Sequence, residues 1–288
     1  MNEVKNDSFD KAEWAAMKKA NREKAYQMAD EMTDIVKTNP ERMKEFLNVM
    51  ARFGYFSINN LLLIAAQKPD AKLLYDFNTW KDNNEYILRG ETGILTLERG
   101  KEYTREDGSK GFGYNAKRLF DVSQTSAKDQ YMEQTVSYDD RMILKALVNN
   151  ASCAVEVIDG EAAENGPAAI YDPDAGTVYI AKNTDMSFLF SELSRELAIA
   201  YLDHGDFSRD DSAFQAECIS YVVSVRNGMP VGEIHVPDVL GTMENKDVKV
   251  LFTEVRNVAG EIEKNMSKVL LRDSEEKQHD RRSAGGER

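Results

Sequence analysis

The spacing of apolar positions changes several times along the chain, and each change predicts an element. Residues 8–37 are strong helix formers with charges spread among apolar positions, which predicts a charged amphipathic helix. Asn39-Pro40 supplies an N-cap and a first-turn proline, so a second helix is expected over 41–66. Its end, 61–66, is apolar on every face and should be buried, and Lys68-Pro69-Asp70 stops it. Two short apolar runs, 86–88 and 93–97, flank Arg89-Gly90-Glu91 and read as strands. The polar, glycine-rich stretch 100–115 reads as a hairpin loop, with a returning strand over 118–122.

Residues 123–137 have the composition of a linker. Beyond them the pattern predicts a helix over 138–150 and strands over 154–158, 168–171 and 177–181. The last two strands are joined by the turn Asp172-Pro173-Asp174-Ala175-Gly176. A helix over 187–203 has Asp185 as its cap, and a helix over 212–227 stops at Gly228. Val248, Leu251, Val255, Val258, Ile262, Met266 and Val269 form a helical stripe expected to pack on its own domain. Residues 273–288 are polar and charged and are expected to form a disordered tail. The expectation is an α+β protein with two domains: helices with a small sheet over 1–127, and a second domain over 138–272.

Composition narrows the class. An apolar fraction of 42% supports a folded core, and no apolar run approaches the roughly 20 residues of a membrane span. The first residues lack a secretory hydrophobic segment, and Cys153 and Cys218 are isolated, so a reducing cytoplasm is expected. The net charge of −13 lies in one half of the chain: residues 1–127 hold 20 cations and 20 acids, residues 128–288 hold 17 and 30. Between 108 and 120, Lys110, Lys117 and Arg118 meet no acid, a local basic segment of modest strength.

The most informative stretch is Arg195-Glu196-Leu197-Ala198-Ile199. A zinc-peptidase helix carries His-Glu-x-x-His, two imidazoles one turn apart with a glutamate beside them as general base. Here Glu196 keeps the base position, while Arg195 and Ile199 stand where the imidazoles would be, and neither side chain can ligate a metal. The helix 212–227 carries Glu217 in the place of a third ligand. His204 and His235 fall outside the ligand positions. No cofactor or metal is therefore expected, and an ion pair between Arg195 and Glu217 is expected in its place.

The segments Ala169-Ile170-Tyr171, Val178-Tyr179-Ile180, Glu196-Leu197-Ala198 and 216–223 resemble the metallopeptidase-like domain of ArdC-type antirestriction proteins and the related IrrE/ImmA-like peptidases. The first half resembles the N-terminal domain of ArdC-type proteins. The segments that carry this are 55–71, Phe77-Asn78-Thr79-Trp80-Lys81, 89–94 and 120–125. The resemblance spans roughly residues 40–230. It implies a single-stranded-DNA-binding domain of a conjugative element joined to a domain of peptidase ancestry, and the departures at Arg195 and Ile199 make that domain an expected degenerate zincin without peptidase activity. The turn around Gly90, rich in lysine in that family, has Leu88 and Thr92 flanking Arg89 here, so fewer phosphate contacts are expected.

Single strands are held by aromatic faces against bases and by cations against phosphate. The candidates for stacking are Tyr55, Phe56, Trp80 and Tyr114. Lys81, Arg89, Lys117 and Arg118 are the candidates for phosphate, with Asn59 and Asn60 as hydrogen bonders. The expected partner is single-stranded DNA, with a protein partner through the acidic second half and no membrane. Two other classes fit the same chain: an active metallopeptidase with unconventional ligands, and an interaction protein whose acidic half mimics DNA charge.

Overall fold

A computed structural model describes residues 11–131, 138–149, 151–161, 167–182, 184–205 and 208–285. The contacts divide them into two compact units. One holds residues 11–34 and 59–131, the other residues 35–58 and 138–285. The chain thus leaves the first unit near the end of its first helix and returns to it after 58, a division that a single cut near 127 does not contain. Both units mix helices with a small sheet, and the α+β class expected from the sequence holds.

In the first unit, α1 (Lys11–Val36) and α3 (Ile58–Gln67) accompany a three-stranded antiparallel sheet. Its strands are β1 (Leu74–Asp76), β2 (Ile94–Thr104) and β3 (Lys110–Asp121), in the order β1-β3-β2, with the short α4 (Phe77–Asp82) after β1. Leu61 through Ala65 are fully buried, as an all-round apolar helix end requires. Two amides of α3 serve the free edge of β2. Asn60 donates to Leu97 O (2.9 Å) and accepts from Leu97 N (2.7 Å). Gln67 donates to Leu95 O (3.0 Å) and accepts from Leu95 N (2.9 Å). The two residues are seven apart on the helix, about two turns, and so share one face. Together they supply the donors and acceptors a fourth strand would have given.

The stretch 100–115 is mostly strand. β2 and β3 form a long hairpin whose loop is only 105–109, with Gly108 at φ 80° and Arg105 N donating to Ser109 O at 2.8 Å. Sequence polarity suggested a loop because the outer half of the hairpin, from Glu98, has exposed residues on both faces. The run 86–88 forms only one bridge, Ile87 with Thr125. Of the expected linker, Gln124 and Thr125 are buried, and residues 132–137 lie outside the described residues.

The second unit begins with α2 (Pro40–Phe53), capped by Asn39, whose side chain accepts from Arg42 N at 3.0 Å. The single helix expected over 41–66 is broken at 54–57. Arg226 donates to the last carbonyls of α2, Ala51 O (2.8 Å) and Met50 O (3.2 Å), and satisfies groups that a continuing helix would have bonded. The rest of the unit is α5 (Asp140–Asn149), β4 (Ala154–Glu161), β5 (Ala169–Asp172), β6 (Thr177–Lys182), α6 (Met186–Leu202), α7 (Arg209–Arg226), α8 (Asp238–Thr242) and α9 (Asn245–Gly285). The sheet order is β4-β6-β5, with β6 parallel to β4 and antiparallel to β5. Asp172 Oδ1 accepts from Asp174 N and Ala175 N in the β5–β6 turn, and Gly176 sits at φ 59°.

Asp185 caps α6 by accepting from Ser187 N and Phe188 N. Helix α9 buries Val248, Phe252, Val255, Ala259, Ile262, Met266 and Leu270 and packs on α5 and α7. Residues 273–285, expected as a disordered tail, continue that helix. Their Lys, Glu, Gln and Arg residues are strong helix formers, so polarity there did not mean loss of structure.

Candidate functional site

Four residues singled out in the second half meet around one cavity. Helix α6 presents Arg195, Glu196 and Ile199, and α7 presents Glu217, to a space of about 460 Å³ also lined by Arg209, Asp210, Ser220 and residues 231–234. Two helices are locked beside it by hydroxyls: Ser194 and Ser220 are 2.7 Å apart, and Ser220 donates to Ser191 O at 2.9 Å.

Glu196 is 1% exposed, and a buried carboxylate needs donors. It accepts from Tyr171 N on β5 at 2.8 Å and from Arg209 Nη1 at 2.9 Å on each oxygen. Arg209 Nη2 also donates to Tyr171 O at 3.0 Å. One carboxylate and one guanidinium therefore join β5, α6 and the first turn of α7. Arg195 does not pair with Glu217. It bonds Glu192 one turn back at 2.9 Å, with its Nε 3.7 Å from Glu196, while Glu217 accepts from His235 N at 3.2 Å. The nearer acids on its own helix win because the guanidinium need not cross the cavity to reach them. Burial pushes the Glu192 carboxyl up, and the Arg195 charge opposes that. Arg209 has no place in the His-Glu-x-x-His pattern, and the only sequence signal for it is a cation in the first turn of a helix, where a carboxylate would be usual.

The donor set does not fit a transition metal. The two positions one turn apart carry a guanidinium and an alkyl group, and the remaining acid of the motif is already held by Arg209. Among the described residues, no three of His, Cys, Asp and Glu are placed to hold an ion.

The first-half candidates divide by environment. Trp80 is 3% exposed, in edge contact with Tyr75, and its Nε1 donates to Phe120 O at 2.9 Å; it is a core residue that offers no base a face. Asn60 is buried and spent on β2, and Asn59 Oδ1 is buried with no hydrogen bond. Lys117 is tied to Asp76 (2.8 Å) and Glu98 (3.1 Å), and Arg118 donates to Gly93 O at 2.6 Å. Lys81, Arg89 and Tyr114 are exposed. Tyr55 is 72% exposed with its ring 4.6 Å from that of Phe56, but it belongs to the second unit.

No family model matches the chain. Its fold is that of the ArdC-type antirestriction proteins. The metal-free crystal structure of antirestriction protein ArdC from the R388 plasmid matches 74% of this chain and 84% of its own, with a TM-score of 0.52 and 13% identity. The Mn(II)-bound structure of the same protein matches 72% and 84%, with a TM-score of 0.51 and 14% identity. An uncharacterized protein of Bacillus anthracis, pXO2-81, is 25% identical over 72% of this chain, which spans 44% of that relative. Among the described residues no single helix is long and apolar enough to cross a membrane.

Proposed function

We propose that this chain is an antirestriction-like accessory protein of a mobile genetic element. It binds single-stranded DNA through its first unit, and its peptidase-like second unit carries no catalysis. The observation that carries the second half of this reading is the Arg209–Glu196 pair. Metal-assisted hydrolysis needs an ion to acidify water and a carboxylate free to take the proton. Here the carboxylate is neutralised by a guanidinium on both oxygens, and the ligand positions hold Arg195 and Ile199. A neighbour of the same fold was crystallised with Mn(II), and the reading that this chain holds no metal at the motif is supported by Arg195 and Ile199 standing at its two ligand positions.

The DNA-binding half rests on the ArdC-type fold and on the charge division, which leaves residues 1–127 neutral while the remainder is strongly acidic. The test is a titration of a fluorescent oligo-dT with the full chain at two salt concentrations, alongside metal analysis of the same preparation. Saturable binding that weakens with salt, with no stoichiometric metal, is expected. Absence of binding at low salt by folded protein would overturn the DNA-binding half, and stoichiometric zinc or manganese would overturn the inactive-domain half.

A further inference from the structure

We infer that single-stranded nucleic acid is held on a surface formed by α1 and the outer β2–β3 hairpin, with Trp14 and Tyr103 as its stacking residues and Lys18, Arg22 and Arg99 as its phosphate contacts. This rests on the reading of the first unit as a DNA binder and gives it a place.

Trp14, Lys18, Arg22 and Tyr26 follow one another at four-residue spacing and lie along one face of α1. Trp14 is 43% exposed, large for an indole, and the Lys18 ammonium sits 3.6 Å from its ring centroid. Arg22 Nη1 donates to Tyr114 O of β3 at 3.5 Å, so the helix stripe runs onto the hairpin. Tyr26 continues it: its phenol is pushed up by burial, then by Tyr114, with Tyr103 adding to the effect and Arg22 opposing it. The four groups therefore share one neighbourhood.

On the hairpin, Tyr103 lies opposite Gly111, and a β-carbon at Gly111 would sit 2.9 Å from the tyrosine Cζ. The ring thus rests against bare backbone with one side covered, and the residue is 51% exposed. Tyr114 is 40% exposed, opposite Arg99, whose guanidinium stacks 3.3 Å from the Phe112 ring centroid and offers a planar cation outward from a fixed position. Neither aromatic has a core to explain it, because the hairpin beyond Leu97 is exposed on both faces.

The charge agrees. Residues 11–26 hold five cations against two acids, and residues 98–118 hold six against four, in a chain whose net charge is −13. Three of the acids are bound to lysines: Glu23 to Lys19 (3.8 Å), Glu98 to Lys117 (3.1 Å) and Glu102 to Lys110 (2.6 Å). An acidic peptide would use the cations and leave the exposed rings idle, whereas a single strand uses both.

The test is anisotropy of labelled oligo-dT with the full chain, with thermal unfolding confirming that each variant folds. Tyr103→Ala and Trp14→Ala should each weaken binding about tenfold, and Tyr103→Phe should bind like the wild type because the ring is what stacks. Arg22→Gln should lower the slope of log K against log salt by about 0.7. Trp14 is one of two tryptophans and Trp80 is buried, so oligonucleotide should quench the emission that Trp14→Phe removes. Wild-type binding with unchanged affinity in both alanine variants, or quenching that survives Trp14→Phe, would overturn this placement while leaving DNA binding by the chain intact. A folded wild type that does not bind at all would remove both.

Discussion

Asn60 shows how a residue read as a ligand contact is consumed by the fold. An amide on an apolar helix must find partners, and the edge of β2 offers one donor and one acceptor at Leu97. Asn60→Ala would leave both backbone groups buried and unpaired, at a cost of about 2 kcal/mol or more. Urea unfolding measures this, and a loss near zero would mean that the amide is replaceable by water. Arg209 and Glu196 are the second case. Arg209→Ala strips two of the three close hydrogen bonds from a buried carboxylate and should cost about 2 kcal/mol, more than Arg195→Ala, whose guanidinium is 3.7 Å from Glu196 and bonds mainly Glu192. Equal losses in the two variants would contradict the assignment of Arg209 as the tie. The sequence pointed to Glu196 as the pivotal acid, but not to the cation that holds it, because Arg209 reaches it only once α7 is packed on α6.

At the scale of elements, alternation and helical spacing were legible wherever one face is buried. β5, β6, α6 and α7 fall within a few residues of their expected bounds, and the caps at Asn39 and Asp185 are where side-chain chemistry puts them. Two elements were not legible: the outer hairpin, exposed on both faces, read as a loop, and residues 273–285, polar in sequence, read as a tail. The break after α2 was also hidden, since Gly54-Tyr55-Phe56-Ser57 lies inside an otherwise helical pattern. What fixes it is close approach. A β-carbon at Gly54 would lie 2.0 Å from Arg226 Nη2, so Gly54→Ala must displace the guanidinium from the end of α2. A destabilisation of about 1–2 kcal/mol is expected in a thermal or urea melt. If Gly54→Ala were neutral, Arg226 would not be the element that ends α2.

For the whole molecule, acid stability follows from two carboxyls of the first unit. The Lys117 ammonium, with Thr79 behind it, holds Asp76 down to about 2. Asp121 is opposed by its burial, yet Ser123 and the backbone N–H groups of Lys72 and Leu73 keep its carboxyl below the usual range. Both groups bind protons more weakly folded than unfolded, so their stabilisation is complete above about pH 4 and is lost as pH falls toward 2. Emission from buried Trp80, followed against pH, should therefore report loss of the first unit in that window. Asp121→Asn keeps an oxygen to accept from Lys72 N and Leu73 N but removes this titration, so the acid loss should become shallower with pH, and a midpoint near neutrality in the wild type would contradict the account. The sharing of charge between the halves adds to this picture, because the acids that give the chain its net −13 lie beyond residue 127.

The sequence by itself determined the class of the fold, most element positions, and the presence of Arg195 and Ile199 on either side of Glu196 where metal-ligating imidazoles would otherwise stand. These are local facts: period, capping and residue type act within one or two turns of chain. Only the tertiary structure decided which polar groups are spent on the fold and which stay outward. That depends on partners far apart in sequence, Asn60 with Leu97, Glu196 with Arg209, Tyr103 with Gly111, and a side chain's availability is fixed by what it has already bonded.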